Sequence, residues 1–219
     1  MKDGDKILDI GAGAGAGEYS LYFARKGYEV SALELADANI AAFKKKLTPE
    51  DKIDLVQGNA LDLSRYADKS FDIVLLFGPL YHLKNDADKQ KCISEAKRVC
   101  KDGGKIFFAF ISNDFVFLTE FGYDVNYFSN GDYDKETFKL NDFPFVFHTV
   151  GAARKLLADG GINILHEVAS DGASELLAAR INEMSDEDYT QYLRYHFYIC
   201  EKPELLGMTN HLLFMGEKK

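Results

Sequence analysis

One run of residues constrains this chain more than any other: Lys6-Ile7-Leu8-Asp9-Ile10-Gly11-Ala12-Gly13-Ala14-Gly15-Ala16-Gly17-Glu18. Its first half is apolar, and its second half alternates glycine with alanine. The change predicts a buried parallel strand that ends in a loop where backbone and ligand come close. A helix is expected from about Glu18, with its unpaired N–H groups aimed back at the loop. Those groups and the helix dipole favour a carboxylate or phosphate at that spot.

The loop alone does not choose a cofactor. Gly11, Gly13 and Ala16 satisfy G-x-G-x-x-G/A, so an NAD-dependent oxidoreductase is one reading. Asp9, two residues before the first glycine, favours another, because an acid sits badly beside a pyrophosphate and well beside a positively charged cofactor. Here the chain resembles the class I S-adenosylmethionine-dependent methyltransferases, in particular small-molecule enzymes like those of methyltransferase type 11. Their first motif is an apolar strand, an acid, then G-x-G-x-G.

That resemblance implies an α/β fold: a doubly wound, mostly parallel seven-stranded sheet whose last strand is antiparallel. It also implies S-adenosyl-L-methionine as cofactor. Asp9, Gly11, Ala12, Gly13 and Gly15 would hold the methionine end, Asn59, Ala60 and Leu61 the adenine, and Phe77 and Gly78 the sulfur side. Glu34, with Leu35 beside it, would take the ribose. Glu34 follows Gly11 by 23 positions, close to the roughly 20-residue offset at which an acid meets ribose hydroxyls. The loop is two residues longer than the family pattern, so Gly13, Gly15 and Gly17 fit as well as Gly11, Gly13 and Gly15. Members usually carry helices before the first strand. Here cover is expected from a later insertion or a second subunit, so a homo-oligomer is one arrangement; otherwise the chain is truncated.

The 219 residues, 47% hydrophobic and 28% charged, fit a single domain over 1–219. A net charge of −9 argues against a nucleic-acid surface and leaves a small-molecule methyl acceptor. Cys92, Cys100 and Cys200 show no metal-ligand spacing and form no complete disulfide set, as expected of reduced thiols in a cytoplasmic protein. No apolar run has the length of a membrane span, and Met1-Lys2-Asp3-Gly4 is no signal peptide.

Along the chain, helices are expected over 18–27, 37–47, 86–100 and 149–159. Strands are expected over 6–10, 28–35, 52–57, 71–77, 105–111, 162–168 and 211–216. The loop Gly78-Pro79-Leu80-Tyr81-His82-Leu83 leaves the fourth strand at its carboxyl end and faces the glycine loop. This puts Tyr81 and His82 next to the reacting sulfur, although loop packing explains both equally simply. A hydroxyl acceptor must lose a proton, and imidazole titrates near neutrality, so His82 is the candidate base. Tyr81 could add a cation–π contact to a sulfonium.

Residues 112–148 break the alternation and hold eleven of the chain's 17 phenylalanines and 12 tyrosines. They are expected to form a lid over the acceptor, or a small subdomain with its own aromatic core. A second, helical insertion spans 172–207. Tyr189, Tyr192, Leu193, His196, Phe197 and Cys200 make a stripe in it, behind a capping box from Ser185 to Asp188. A fold of this type also serves as a cofactor-binding protein without transferase activity.

Overall fold

Strands and helices alternate along the chain, which calls for a parallel sheet, and in the computed structural model the first five strands pair that way. The structure describes residues 4–13 and 15–219. Met1 to Asp3, where no leader is expected, and Ala14 of the glycine loop lie outside the described residues.

The elements follow in order: β1 (Lys6–Ile10), α1 (Glu18–Arg25), β2 (Glu29–Glu34), α2 (Asp37–Lys46), β3 (Ile53–Gln57) and β4 (Phe71–Leu76). A 3-10 turn at Pro79–Tyr81 leads to α3 (Asp86–Val99), β5 (Cys100–Ser112), α4 (Asn113–Tyr123), α5 (Tyr127–Asn130) and β6 (Phe147–His148). The chain closes with α6 (Val150–Asp159), β7 (Ile162–Ala169), α7 (Ala178–Ile181), α8 (Asp186–Ile199) and β8 (His211–Lys218).

The strands lie in the order β3-β2-β1-β4-β5-β8-β7. Pairing is parallel from β3 to β5 and antiparallel on both sides of β8. The order reverses between β1 and β4, the place where ligands enter sheets of this kind. Two cores flank the sheet. Leu8, Ile10, Phe108, Phe110 and Phe214 pack under α3 and α6, while Ile7, Ile73 and Leu75 meet Phe23 and Ala24 of α1 on the other face.

Three expectations are corrected. An eighth strand, β6, pairs with the last two residues of β5, Ile111 opposite Phe147 and Ser112 opposite His148. It is only two residues long, and such a length carries no period to read. Helix α3 stops at Val99, ahead of Gly103-Gly104, because the ladder resumes at Cys100 opposite Phe71. A bulge follows, where a side chain on Gly104 would run into Cys100 and the Asp72 carbonyl. Finally, a stripe of this spacing is expected to be core, yet α8 buries none of its own residues completely and Phe197 is 71% exposed, so the stripe is only partly one. Only the N-cap half of the box forms: the Ser185 hydroxyl accepts from the Asp188 N–H at 3.1 Å, and the Asp188 carboxylate takes the Ser185 hydroxyl at 2.8 Å rather than its N–H.

Candidate functional site

Beyond the carboxyl ends of β1, β2, β3 and β4 lies a cavity of about 380 Å³. Of the residues expected at a cofactor site, Gly11, Glu34, Leu35, Asn59, Ala60 and Gly78 line it, together with His82, the candidate base. Ile10, Leu33, Asn39, Pro79 and Leu83 complete most of its wall.

Glycine is required at Gly11 and Gly78, which have φ of +83° and +135°. A side chain on Gly11 would meet the Phe77 carbonyl and the Pro79 ring at 3.0 Å, so the β1 and β4 loops can close on each other only without it. The Gly11 N–H donates to the Leu33 carbonyl at 2.8 Å, which ties the loop to β2.

Glu34, at the tip of β2, is buried. Its carboxylate accepts from the Gly13 N–H at 2.9 Å, the Ala36 N–H at 2.8 Å and the Asn39 amide at 3.2 Å. Two oxygens offer about four acceptor positions, so three fixed donors orient the group and leave room for one more donor from the cavity. Gly13 is accordingly a packing glycine, since a Cβ there would fall within 2.9 Å of Glu34 and Asn39. Asn39 was not expected here. It sits on α2, in the first turn after the acid, and only the fold turns its amide back to the carboxylate.

Asp9 lies beneath the loop rather than in the cavity wall. It is 1% exposed and accepts from the Ser20 hydroxyl at 2.7 Å. Burial pushes its carboxyl up to about 6, the Ser20 hydrogen bond opposing and the Glu34 charge adding to the rise. Ala12 packs with Leu21, Ala32 and Phe43. Gly15 faces open space, with Glu18 its nearest side chain. The Asn59 side-chain carbonyl oxygen accepts from the Leu61 N–H at 3.0 Å, which leaves the amide nitrogen as the donor end of that side chain. Leu61 itself packs on the main core.

Phe77 meets Tyr19 edge to face, ring centroids 5.0 Å apart. Tyr81 and His82 part company: His82 lines the cavity, whereas the Tyr81 hydroxyl turns toward Gly78. Both rings contact Phe145 of the first insertion, and the Tyr81 carbonyl accepts from the Val146 N–H at 2.8 Å. The insertion is thus fastened to the loop at the rim of the cavity. Among the described residues no cluster of His, Cys, Asp or Glu could hold a metal ion, and no helix is long and apolar enough to cross a membrane.

Comparison with known proteins gives the same picture. Residues 8–108 match the family described as a methyltransferase domain. A demethylmenaquinone methyltransferase of Clavibacter sepedonicus is 33% identical over 123 residues, covering 56% of this chain and 47% of that protein. The ubiquinone/menaquinone biosynthesis C-methyltransferase UbiE of Haemophilus ducreyi is 34% identical over 113 residues, 48% of this chain and 41% of that protein. The chain thus spans under half the length of these relatives. A solved S-adenosylmethionine-dependent methyltransferase from Methanosarcina mazei superposes with a TM-score of 0.64 at 19% identity, covering 100% of this chain and 94% of that one. With the strand order β3-β2-β1-β4-β5-β8-β7, the chain has the class I methyltransferase fold, and residues 8–108 are similar to the methyltransferase-domain family.

Proposed function

We propose that this protein transfers a methyl group from S-adenosylmethionine to a small aromatic or apolar acceptor. The observation that carries the reading is Glu34, a buried carboxylate held by three donors at the edge of a cavity with acceptor capacity left over. That suits one hydroxyl of a ribose, which would donate to the remaining acceptor position. Ile10, Leu33, Ala60 and Leu83 offer apolar wall for a flat base, with the Asn59 amide nitrogen at its rim. The Gly11 and Gly78 backbones close the end toward β4, where a side chain on Gly11 would block the approach.

When bound, the cofactor supplies an activated methyl group on a sulfonium leaving group. The chain's own work is then alignment and exclusion of water. Glu34 fixes the ribose, and Asp9 places a carboxylate beneath the loop that meets the ammonium end. Phe77 and Tyr19 give the sulfur side an aromatic flank, worth about 0.5–2 kcal/mol toward a cation. His82 packs against Phe145 on the cavity wall. The insertion over 112–148 acts as the lid, and 172–207 as a helical flank, of a single domain. The named relatives make a reduced naphthoquinone the first acceptor to try.

Calorimetry with S-adenosylmethionine, S-adenosylhomocysteine and NAD tests the reading. Binding of the first two but not NAD is expected, with Glu34→Gln weakening both by at least about tenfold, since charge-assisted hydrogen bonds contribute about 1.5–3 kcal/mol. Preference for NAD would make the protein an oxidoreductase. Binding without transfer to any of a panel of phenols, hydroquinones and amines would make it a cofactor-binding protein.

A further inference from the structure

A carboxylate and a histidine meet on the far side of the sheet, at the same carboxyl rim as the cavity. His211, the first residue of β8, shares Nδ1 with Asp171 Oδ2 at 2.7 Å. Asp171 is held in turn: its other oxygen accepts from the His211 N–H at 3.1 Å and from the Thr209 hydroxyl. Thr209 also accepts from the Asp171 and Gly172 N–H groups, at 3.3 and 3.1 Å. Asn210, between Thr209 and His211, is 4% exposed and bonded to Thr119 of α4 and Glu175 of the second insertion. A carboxylate so fixed sets the tautomer and orientation of the imidazole, leaving Nε2 free at an exposed position.

The register says where His211 stands on the sheet. His211 lies opposite Ile111 on β5, and Ile111 lies opposite Phe147 on β6, so the three form one row across the sheet. Leu76, the last residue of β4, lies opposite Phe108, three residues before Ile111. The row is therefore on the ligand side of the end of β4. Phe147 packs on the aromatic cluster of the first insertion, and its neighbour Val146 is the residue bonded to Tyr81. With strands about 4.8 Å apart, His211 is roughly 10 Å across the sheet from Phe147. Leu212 faces the core under α3 and α6, so His211 points to the opposite face, that of α1, Tyr19 and Phe77.

Resting on the methyltransferase reading, we propose that His211 is the general base for the acceptor, positioned by Asp171, and that the acceptor is a phenol or hydroquinone. Nε2 takes the phenolic proton. The oxygen, or the ring carbon ortho to it, forms the bond to the methyl carbon while the carbon–sulfur bond breaks with its electron pair left on sulfur. After attack by carbon, the ring proton leaves to water and the imidazolium returns its proton to the oxygen, so one proton is released overall. Asp171 holds His211 above the ordinary histidine value, burial opposing and the Glu175 charge adding to the rise. Burial pushes Asp171 itself up, but hydrogen bonds from His211 and Thr209 leave it below the usual range and ionised.

The test uses 1,4-naphthohydroquinone, other phenols and an amine series as acceptors, at pH 6 to 9. His211→Gln, which keeps an N–H for Asp171 but takes no proton, is expected to lower kcat with hydroxylated acceptors about 100-fold or more. Its affinity for S-adenosylhomocysteine should stay within twofold. Asp171→Asn should lower kcat and shift the acid limb of the pH–rate profile to lower pH. The His211 imidazole, followed by NMR among the chain's five histidines, should titrate lower in the same variant. Wild-type turnover and pH profile in His211→Gln would overturn the assignment of the base while leaving the methyltransferase reading intact. A wild-type chain that binds no S-adenosylhomocysteine would overturn both.

Discussion

Asp9 shows how much one side chain here depends on what the fold puts around it. Its position before the glycines is plain in the sequence, but its partner is not. Apolar spacing marks Leu21, Tyr22 and Ala24 for one face of α1, whereas the structure buries Ser20 and Leu21 and leaves Tyr22 58% exposed. Ser20 is buried because its hydroxyl serves Asp9, a reason that apolar periodicity cannot register. With the carboxyl raised to about 6, the folded chain keeps a proton that the unfolded chain, near ~3.9, releases. The stabilisation from this group is therefore full below about pH 4 and lost as pH rises through 6. Above that, the buried charge costs on the order of 3 kcal/mol. Asp9→Asn is expected to flatten urea-measured stability between pH 4 and 6 and to raise it at pH 7.5. If the wild-type curve is already flat there, Asp9 is ionised throughout.

At the level of elements, the lengthened glycine loop is resolved by packing. Ala16 and Gly17 have φ of +52° and +79°, and Gly17 caps α1. A Cβ on Gly17 would sit 2.2 Å from the Phe43 ring of α2, so the glycine lets α1 and α2 approach rather than letting a ligand in. Gly17→Ala is expected to destabilise the fold by about 2–4 kcal/mol, from left-handed strain together with overpacking. Phe43→Leu in the same chain should recover part of the loss, as read by thermal unfolding. Equal unfolding temperatures for Gly17→Ala and the wild type would show that the contact is soft. The sequence marks the loop but assigns no job to each glycine, because a glycine needed for a ligand and one needed for a ring look the same in one dimension.

Across the whole molecule, the first insertion is tied to the sheet at few places. Phe117, Tyr133 and Leu140 form a separate cluster with Val116, Tyr127 and Phe147, and contact with the site runs through Phe145 and Val146. Lid and subdomain, the two sequence readings, are compatible. Phe117→Ala removes about 3–5 kcal/mol of packing. That loss should fall on the insertion, so hydrogen exchange is expected to quicken over α4 and α5 while β1 and β4 stay protected. Uniform loss of protection would mean that the insertion and the sheet unfold as one.

By itself the sequence determined the alternation of strand and helix, the parallel pairing which that alternation demands, and the loop with Asp9 before it and Glu34 on the next strand. These depend on local period and on residues within one strand-loop-helix unit, where neighbours in the chain are neighbours in space. Only the tertiary structure decided that Ser20 holds Asp9, that Asn39 joins Glu34, that Gly17 lies on Phe43, and that Asp171 and His211 meet. Each of those contacts joins side chains from different elements. Their distances are set by how the sheet packs and registers, which a linear pattern does not encode.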